Sequence, residues 1–90
     1  MELKDTIEMM NSDDYKERFK AEYHQTKIRY EKLKAFNTKI EAAKNLIYAG
    51  KDTVMPKHDC PDNLLTEQQA IMGNYLRILE VRAVIEGIEL

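Results

Sequence analysis

The chain has 90 residues, with 14 Lys and Arg against 16 Asp and Glu, for a net charge of −2. That length allows one domain, and that charge argues against a coat for long nucleic acids or a polybasic membrane binder. A compact monomer of this mass would expose roughly 5,500 Å² and bury only about 64% of its unfolded surface, so small size favours self-association.

The charge is unevenly divided. Residues 1–14 carry one base and five acids, residues 16–44 nine bases and four acids, and residues 45–90 four bases and seven acids. The middle stretch, net +5, reads either as a solvated helix face or as a binding face for a small anion. A single cysteine, Cys60, excludes an intramolecular disulfide. No secretory-leader pattern and no run of about 18 apolar residues is present. The expected compartment is therefore a reducing cytoplasm, without a membrane partner. Three glycines and two prolines argue against a loop-rich or all-β fold.

In chain order, residues 1–14 form an acidic segment with at most a short helix, its apolar pair being Met9 and Met10. Asp14 and Glu17 have capping-box spacing, with Ser12 and Asp13 as competing caps. A long helix is expected over residues 14–49, since no proline or glycine interrupts it and Gly50 supplies a stop. Its apolar stripe is Phe19, Tyr23, Thr26, Tyr30, Leu33, Phe36, Ile40, Ala43 and Ile47, at steps of three and four. Residues 50–62, with Pro56 and Pro61, read as a loop. A second long helix is expected over residues 63–86, capped by Asp62 or Asn63 and ended by Gly87. Its stripe is Leu65, Gln68 or Gln69, Met72, Tyr75 or Leu76, Leu79, Ala83 and Glu86. Ile71, Ile78 and Ile85 form a second apolar row. A hairpin offers that row no partner, which implies another chain. The fold class is all-α, a single helical domain over residues 1–90.

Enzyme signatures are lacking. There is no Gly-rich phosphate loop and no nucleophile elbow. His58, Asp59 and Cys60 are contiguous on a proline-flanked loop, which suits neither paired zinc-ligand spacing nor a Cys–His pair. No metal and no cofactor is expected, and no catalytic residue. The first long helix combines aromatic and basic side chains. A base can stack on Tyr23 or His24 at roughly 1–3 kcal/mol, and a phosphate can be held by Arg29, Lys32, Lys34 or Lys39. Tyr23 and Lys39 lie about 24 Å apart along the helix, so one small ligand meets both only between two copies. The competing reading is that Tyr23 and Tyr30 are core aromatics. Arg82 falls beside the seam at Leu79 and Ala83, where it must be paired or meet water. Either it faces phosphates around a symmetry axis or it pairs with Glu86 at i+4.

Residues 22–43 (EYHQTKIRYEKLKAFNTKIEAA) and 64–88 (LLTEQQAIMGNYLRILEVRAVIEGI) resemble a family of short helical phage and prophage proteins. That family includes small proteins of crAss-like phages and the anti-CBASS cyclic-oligonucleotide sponges. The strongest matches are Leu64, Leu65, Gln68, Met72, Tyr75, Leu79 and Arg82. The resemblance implies an interlocked helical homo-oligomer, a hexamer, with pockets between subunits. It implies cyclic dinucleotides, and in some members cyclic trinucleotides, as ligands that are sequestered without cleavage. It further implies Tyr23, with His24 beside it, and Lys39 for the dinucleotide pocket, and Arg82 for the trinucleotide pocket. The acidic first 14 residues and the proline-bearing loop depart from the family pattern. The alternative function is a helical protein–protein adaptor with no small ligand.

Overall fold

A computed structural model describes residues 1–90. A 3-10 turn, Leu3–Thr6, runs into a short helix α1, Ile7–Met10; two long helices follow, α2 (Tyr15–Tyr48) and α3 (Asp62–Glu86). No residue lies in a strand. The architecture is thus the expected one for a single chain: a short N-terminal helix and a long-helix hairpin.

The helix ends follow local chemistry. The Asp14 side chain accepts the Lys16 amide at 2.9 Å, and the Ser12 hydroxyl accepts the Asp14 amide at 3.0 Å. Two otherwise unpaired amides at the start of α2 are satisfied in this way. Glu17 instead reaches forward to Lys20 at 3.2 Å. Both C-termini close through left-handed glycines, Gly50 at φ 77° and Gly87 at φ 69°. The amides one residue beyond them, Lys51 and Ile88, bond back to the carbonyls of Leu46 and Ala83. This is Schellman geometry, which side chains with a Cβ adopt at a cost.

The start of α3 differs from expectation. Neither Asp62 nor Asn63 caps it. Pro61 occupies the cap position without a side-chain hydrogen bond, and Asp62 is already helical. The Asp62 carboxylate serves tertiary structure, pairing with Lys44 of α2 and with His58 Nε2 at 2.9 Å. His58 Nδ1 lies 2.5 Å from the Cys60 carbonyl, and its ring stands edge-on to Phe36 at 5.7 Å. The 51–61 connection is thereby clasped to both helices.

The main buried cluster occupies one half of the hairpin, and Ile40 and Ala43 are buried in the other. Phe19, Tyr23, Leu76, Leu79, Ala83 and Ile88 form one buried cluster, with Tyr30 packed on its edge. The stripe ambiguities resolve in favour of Leu76 over Tyr75 and Gln69 over Gln68. On the opposite side of α2, the N-terminal segment folds back: Thr6 is fully buried and its Oγ1 accepts from Gln25 at 2.8 Å.

The molecule is elongated, 55 × 25 × 19 Å, with a radius of gyration of 16.9 Å. A compact chain of this length would have about 12 Å. The single chain exposes 6615 Å², well above the compact value of roughly 5,500 Å². Leu64, Ile71, Ile78 and Ile85 are all exposed on α3. With Gln68, Tyr75 and Arg82 they alternate at steps of four and three, the heptad seam of a coiled coil. No helix is long and apolar enough to cross a membrane.

Candidate functional site

The packed half of the hairpin is cross-linked by three tyrosine–glutamate hydrogen bonds between α2 and α3. Tyr15 donates to Glu86 Oε1 at 2.9 Å, Tyr23 donates to Glu80 Oε2 at 2.6 Å, and Tyr75 donates to Glu22. Burial and the adjacent Glu80 carboxylate push the Tyr23 hydroxyl up to about 12. The Tyr15 hydroxyl is raised chiefly by its bond to Glu86, and that of Tyr75 chiefly by its bond to Glu22.

Tyr23 is 5% exposed and belongs to the core. In a single chain its ring faces are packed, so a base could stack on it only if the ring left the core. His24 stands edge-on to Tyr23 at 5.2 Å. Burial, followed by the charge of Lys27, holds the His24 imidazole below its usual value. Lys39 is exposed and has no ion pair or hydrogen bond from its side chain. Arg82 is committed within the chain. Its Nε donates to Glu86 Oε2 at 3.0 Å, a terminal nitrogen donates to the Tyr15 hydroxyl at 2.7 Å, and the guanidinium lies 5.1 Å from the Phe19 ring centre. The bond to Glu86 is the main reason its pKa is raised. The i+4 pairing with Glu86 is thus the arrangement observed. Of the four expected site residues, one chain brings together only Tyr23 and His24. Arg82 packs over Phe19, twenty residues before Lys39, a separation of about 30 Å along α2.

A feature not foreseen in the sequence lies in the other half of the hairpin. Beyond Tyr30, Ile40 and Ala43 are buried, but polar side chains bridge the helices and a groove of about 590 Å³ remains between them. That volume falls within the range of small-molecule sites, about 300–1,000 Å³. Asn37 and Gln69 face each other across it, Asn37 Nδ2 donating to Gln69 Oε1 at 2.9 Å and to the Leu65 carbonyl at 3.1 Å. Lys44 and Asp62 pair at its far end. Tyr30 and Gly73 separate it from a smaller groove of about 210 Å³ beside Tyr23, Lys27 and Glu80. A Cβ on Gly73 would stand 3.2 Å from Tyr30 Cε1, so the missing side chain is what lets the Tyr30 ring lie against α3. Asn37 directly follows the stripe residue Phe36, and Gln69 was one of two possible stripe residues. The signal in the sequence is a single polar residue within the apolar row of α3.

No group of three or more His, Cys, Asp or Glu side chains is placed to hold a metal ion. Donors, acceptors and aromatic rings line two grooves, and free lysines flank them. A sequence model of the Sequestin family matches residues 13–85.

The chain belongs to the Sequestin family. Sequestin proteins are the anti-CBASS cyclic-oligonucleotide sponges, so the resemblance drawn from residues 22–43 and 64–88 holds at the level of the family. The Sequestin match covers α2, the connection and nearly all of α3, and leaves out residues 1–12. No curated protein and no solved structure matches the chain.

Proposed function

We propose that this chain is a phage-type sponge that binds and sequesters cyclic di- and trinucleotide immune messengers in the host bacterial cytoplasm without cleaving them, and so blunts nucleotide-activated defence. The observation that carries this reading is the Sequestin match over residues 13–85. The mechanism is stoichiometric: each bound messenger is withdrawn from its receptor.

A homo-oligomer, with a hexamer as the leading assembly, forms through the exposed seam of α3. Its support is the heptad spacing of Leu64, Ile71, Ile78 and Ile85, all of which the single chain leaves in water. Assembly also brings together residues that one chain keeps apart. Lys39 of one subunit and the Tyr23–His24 pair of another serve a dinucleotide, and Arg82 side chains around an axis serve a trinucleotide. In the second case ligand phosphates compete with Glu86 for the guanidinium.

A thermal-shift panel of cyclic di- and trinucleotides tests the function. A ligand that binds only the folded state stabilises it by mass action, by about 2.7 kcal/mol at one hundred times its Kd. A rise in Tm for at least one messenger, with the messenger recovered intact, supports the sponge. Unchanged Tm across the panel supports the adaptor alternative, in which the α3 seam binds another protein.

A further inference from the structure

The groove between the distal halves of α2 and α3 has a defined pattern of unused hydrogen-bonding groups. Asn37 Nδ2 has two protons, and both are engaged, one by the Leu65 carbonyl and one by Gln69 Oε1. This fixes both amides and leaves Asn37 Oδ1 as a free acceptor and Gln69 Nε2 as a free donor. The Tyr30 hydroxyl and the Glu41 carboxylate also line the groove without a protein partner. No buried side-chain polar atom in the protein lacks a hydrogen bond, so these free groups are open to solvent and to a ligand.

The charge in the groove selects which part of a nucleotide enters. Glu41, Lys44 and Asp62 line it, and Lys44 is already paired with Asp62. The Asp62 carboxylate is held below its usual range by that bond, and the Lys44 ammonium is raised by it. The remaining charge is the carboxylate of Glu41, which repels a phosphodiester and accepts from an amino group. Neighbouring donors and acceptors on amide side chains complement the edges of nucleobases. Ile40 and Ala70 provide apolar wall for a flat ring. Lys34 lies on the same ridge of α2 as Thr38 and Glu41, one and two turns away. It is exposed and has no salt bridge, so a phosphate has a cation just outside the groove.

We infer that this groove within a single chain seats one nucleobase of the messenger, read by Asn37 and Gln69, with the phosphates left outside. The inference rests on the sponge reading above and gives it a base-recognition site that lies within one subunit and shares no residue with Tyr23, His24, Lys39 or Arg82.

The test is calorimetry on the full chain with cyclic di-AMP and cyclic di-GMP, followed by variants on whichever binds more tightly. Ala70→Trp fills the groove from an exposed position on α3. Gln69→Glu keeps the acceptor for Asn37 and removes the free donor. Each weakens binding by about tenfold or more, with circular dichroism unchanged. Asn74→Asp adds the same charge on α3 outside the groove and leaves affinity within about twofold. In the wild-type protein, the side-chain amide NMR signals of Asn37 and Gln69 shift on saturation, a readout that does not depend on any variant folding. Wild-type binding with stationary amide signals, or with Ala70→Trp within about twofold, overturns the groove assignment and leaves the sponge standing. A wild-type protein that binds neither cyclic dinucleotide overturns the groove assignment by itself, and the sponge falls with it if the trinucleotides also fail.

Discussion

Tyr23→Phe tests how the two long helices are joined. The substitution keeps the ring in the core and removes the hydroxyl that donates to Glu80 Oε2 at 2.6 Å. Near pH 8 the wild type should be more stable by about 1.5–3 kcal/mol, the usual worth of a hydrogen bond to a charged partner. The alkaline limb is more diagnostic. The folded-state pKa is raised from 10.0 to about 12, so the native state holds its proton more tightly than the unfolded state does. A raised pKa gives stability that is fully present below the unfolded value and is lost as pH climbs from about 10 to about 12. Two units at 1.36 kcal/mol each set the loss at about 2.7 kcal/mol. The ring is buried, but the hydroxyl meets the exposed Glu80 at the edge of a groove, so solvent screening makes about 2.7 kcal/mol an upper bound. The assay is urea unfolding of both proteins at matched concentration between pH 8 and pH 11.5. Tyr15 and Tyr75 also titrate upward in the fold, but both are present in both proteins and cancel in the difference. The wild-type advantage should shrink steadily above pH 10. An advantage that stays constant to pH 11.5, or no advantage at pH 8, would refute the Tyr23–Glu80 linkage.

Leu79→Ala, at the one large apolar side chain with no exposure at all, should cost about 2–5 kcal/mol in chemical denaturation; a loss below about 1 kcal/mol would place the core elsewhere. Gly73→Ala gains about 1 kcal/mol of helix propensity, while its Cβ meets Tyr30 Cε1 at 3.2 Å. Because Tyr30 borders two grooves it can yield, so Tm should rise, and a fall would show the ring to be locked. Lys39→Ala should weaken cyclic dinucleotide binding by calorimetry while light scattering shows the oligomer intact. Arg82→Gln should weaken trinucleotides selectively, and equal loss for both ligand classes would contradict two separate sites.

Much of the hairpin was legible because its signals are local. Asp14 at the start of α2 and the glycines at 50 and 87 act through neighbouring backbone groups, and their spacing is written in the chain. Most of the two stripes was legible because helical periodicity fixes which face is apolar, but Ile47, expected at the end of the α2 stripe, is exposed because the connection leaves α2 there without α3 beside it. What escaped depends on how α2 and α3 are set against each other. The same Asp62 that looked like a cap is within reach of Lys44 and His58 once the helices align, and the ion pairs take it. The tyrosine–glutamate bonds join residues 53 to 71 positions apart, and no spacing rule pairs them. Tyr23 illustrates the limit most clearly. Its position suited both a core aromatic and a stacking platform, and its side chain is packed in the core. The groove arises where Gln69 interrupts the α3 stripe and Asn37 stands beside the α2 stripe, positions without meaning until the two amides are found opposite each other.

Sequestration is tested by titrating the wild-type protein with cyclic di- and trinucleotides in a calorimeter, followed by mass analysis of the released ligand. A sponge gives saturable binding of at least one messenger at a fixed ratio to the chain, with the cyclic ligand recovered unchanged. No binding across the panel, or recovery of a linear product, would contradict it.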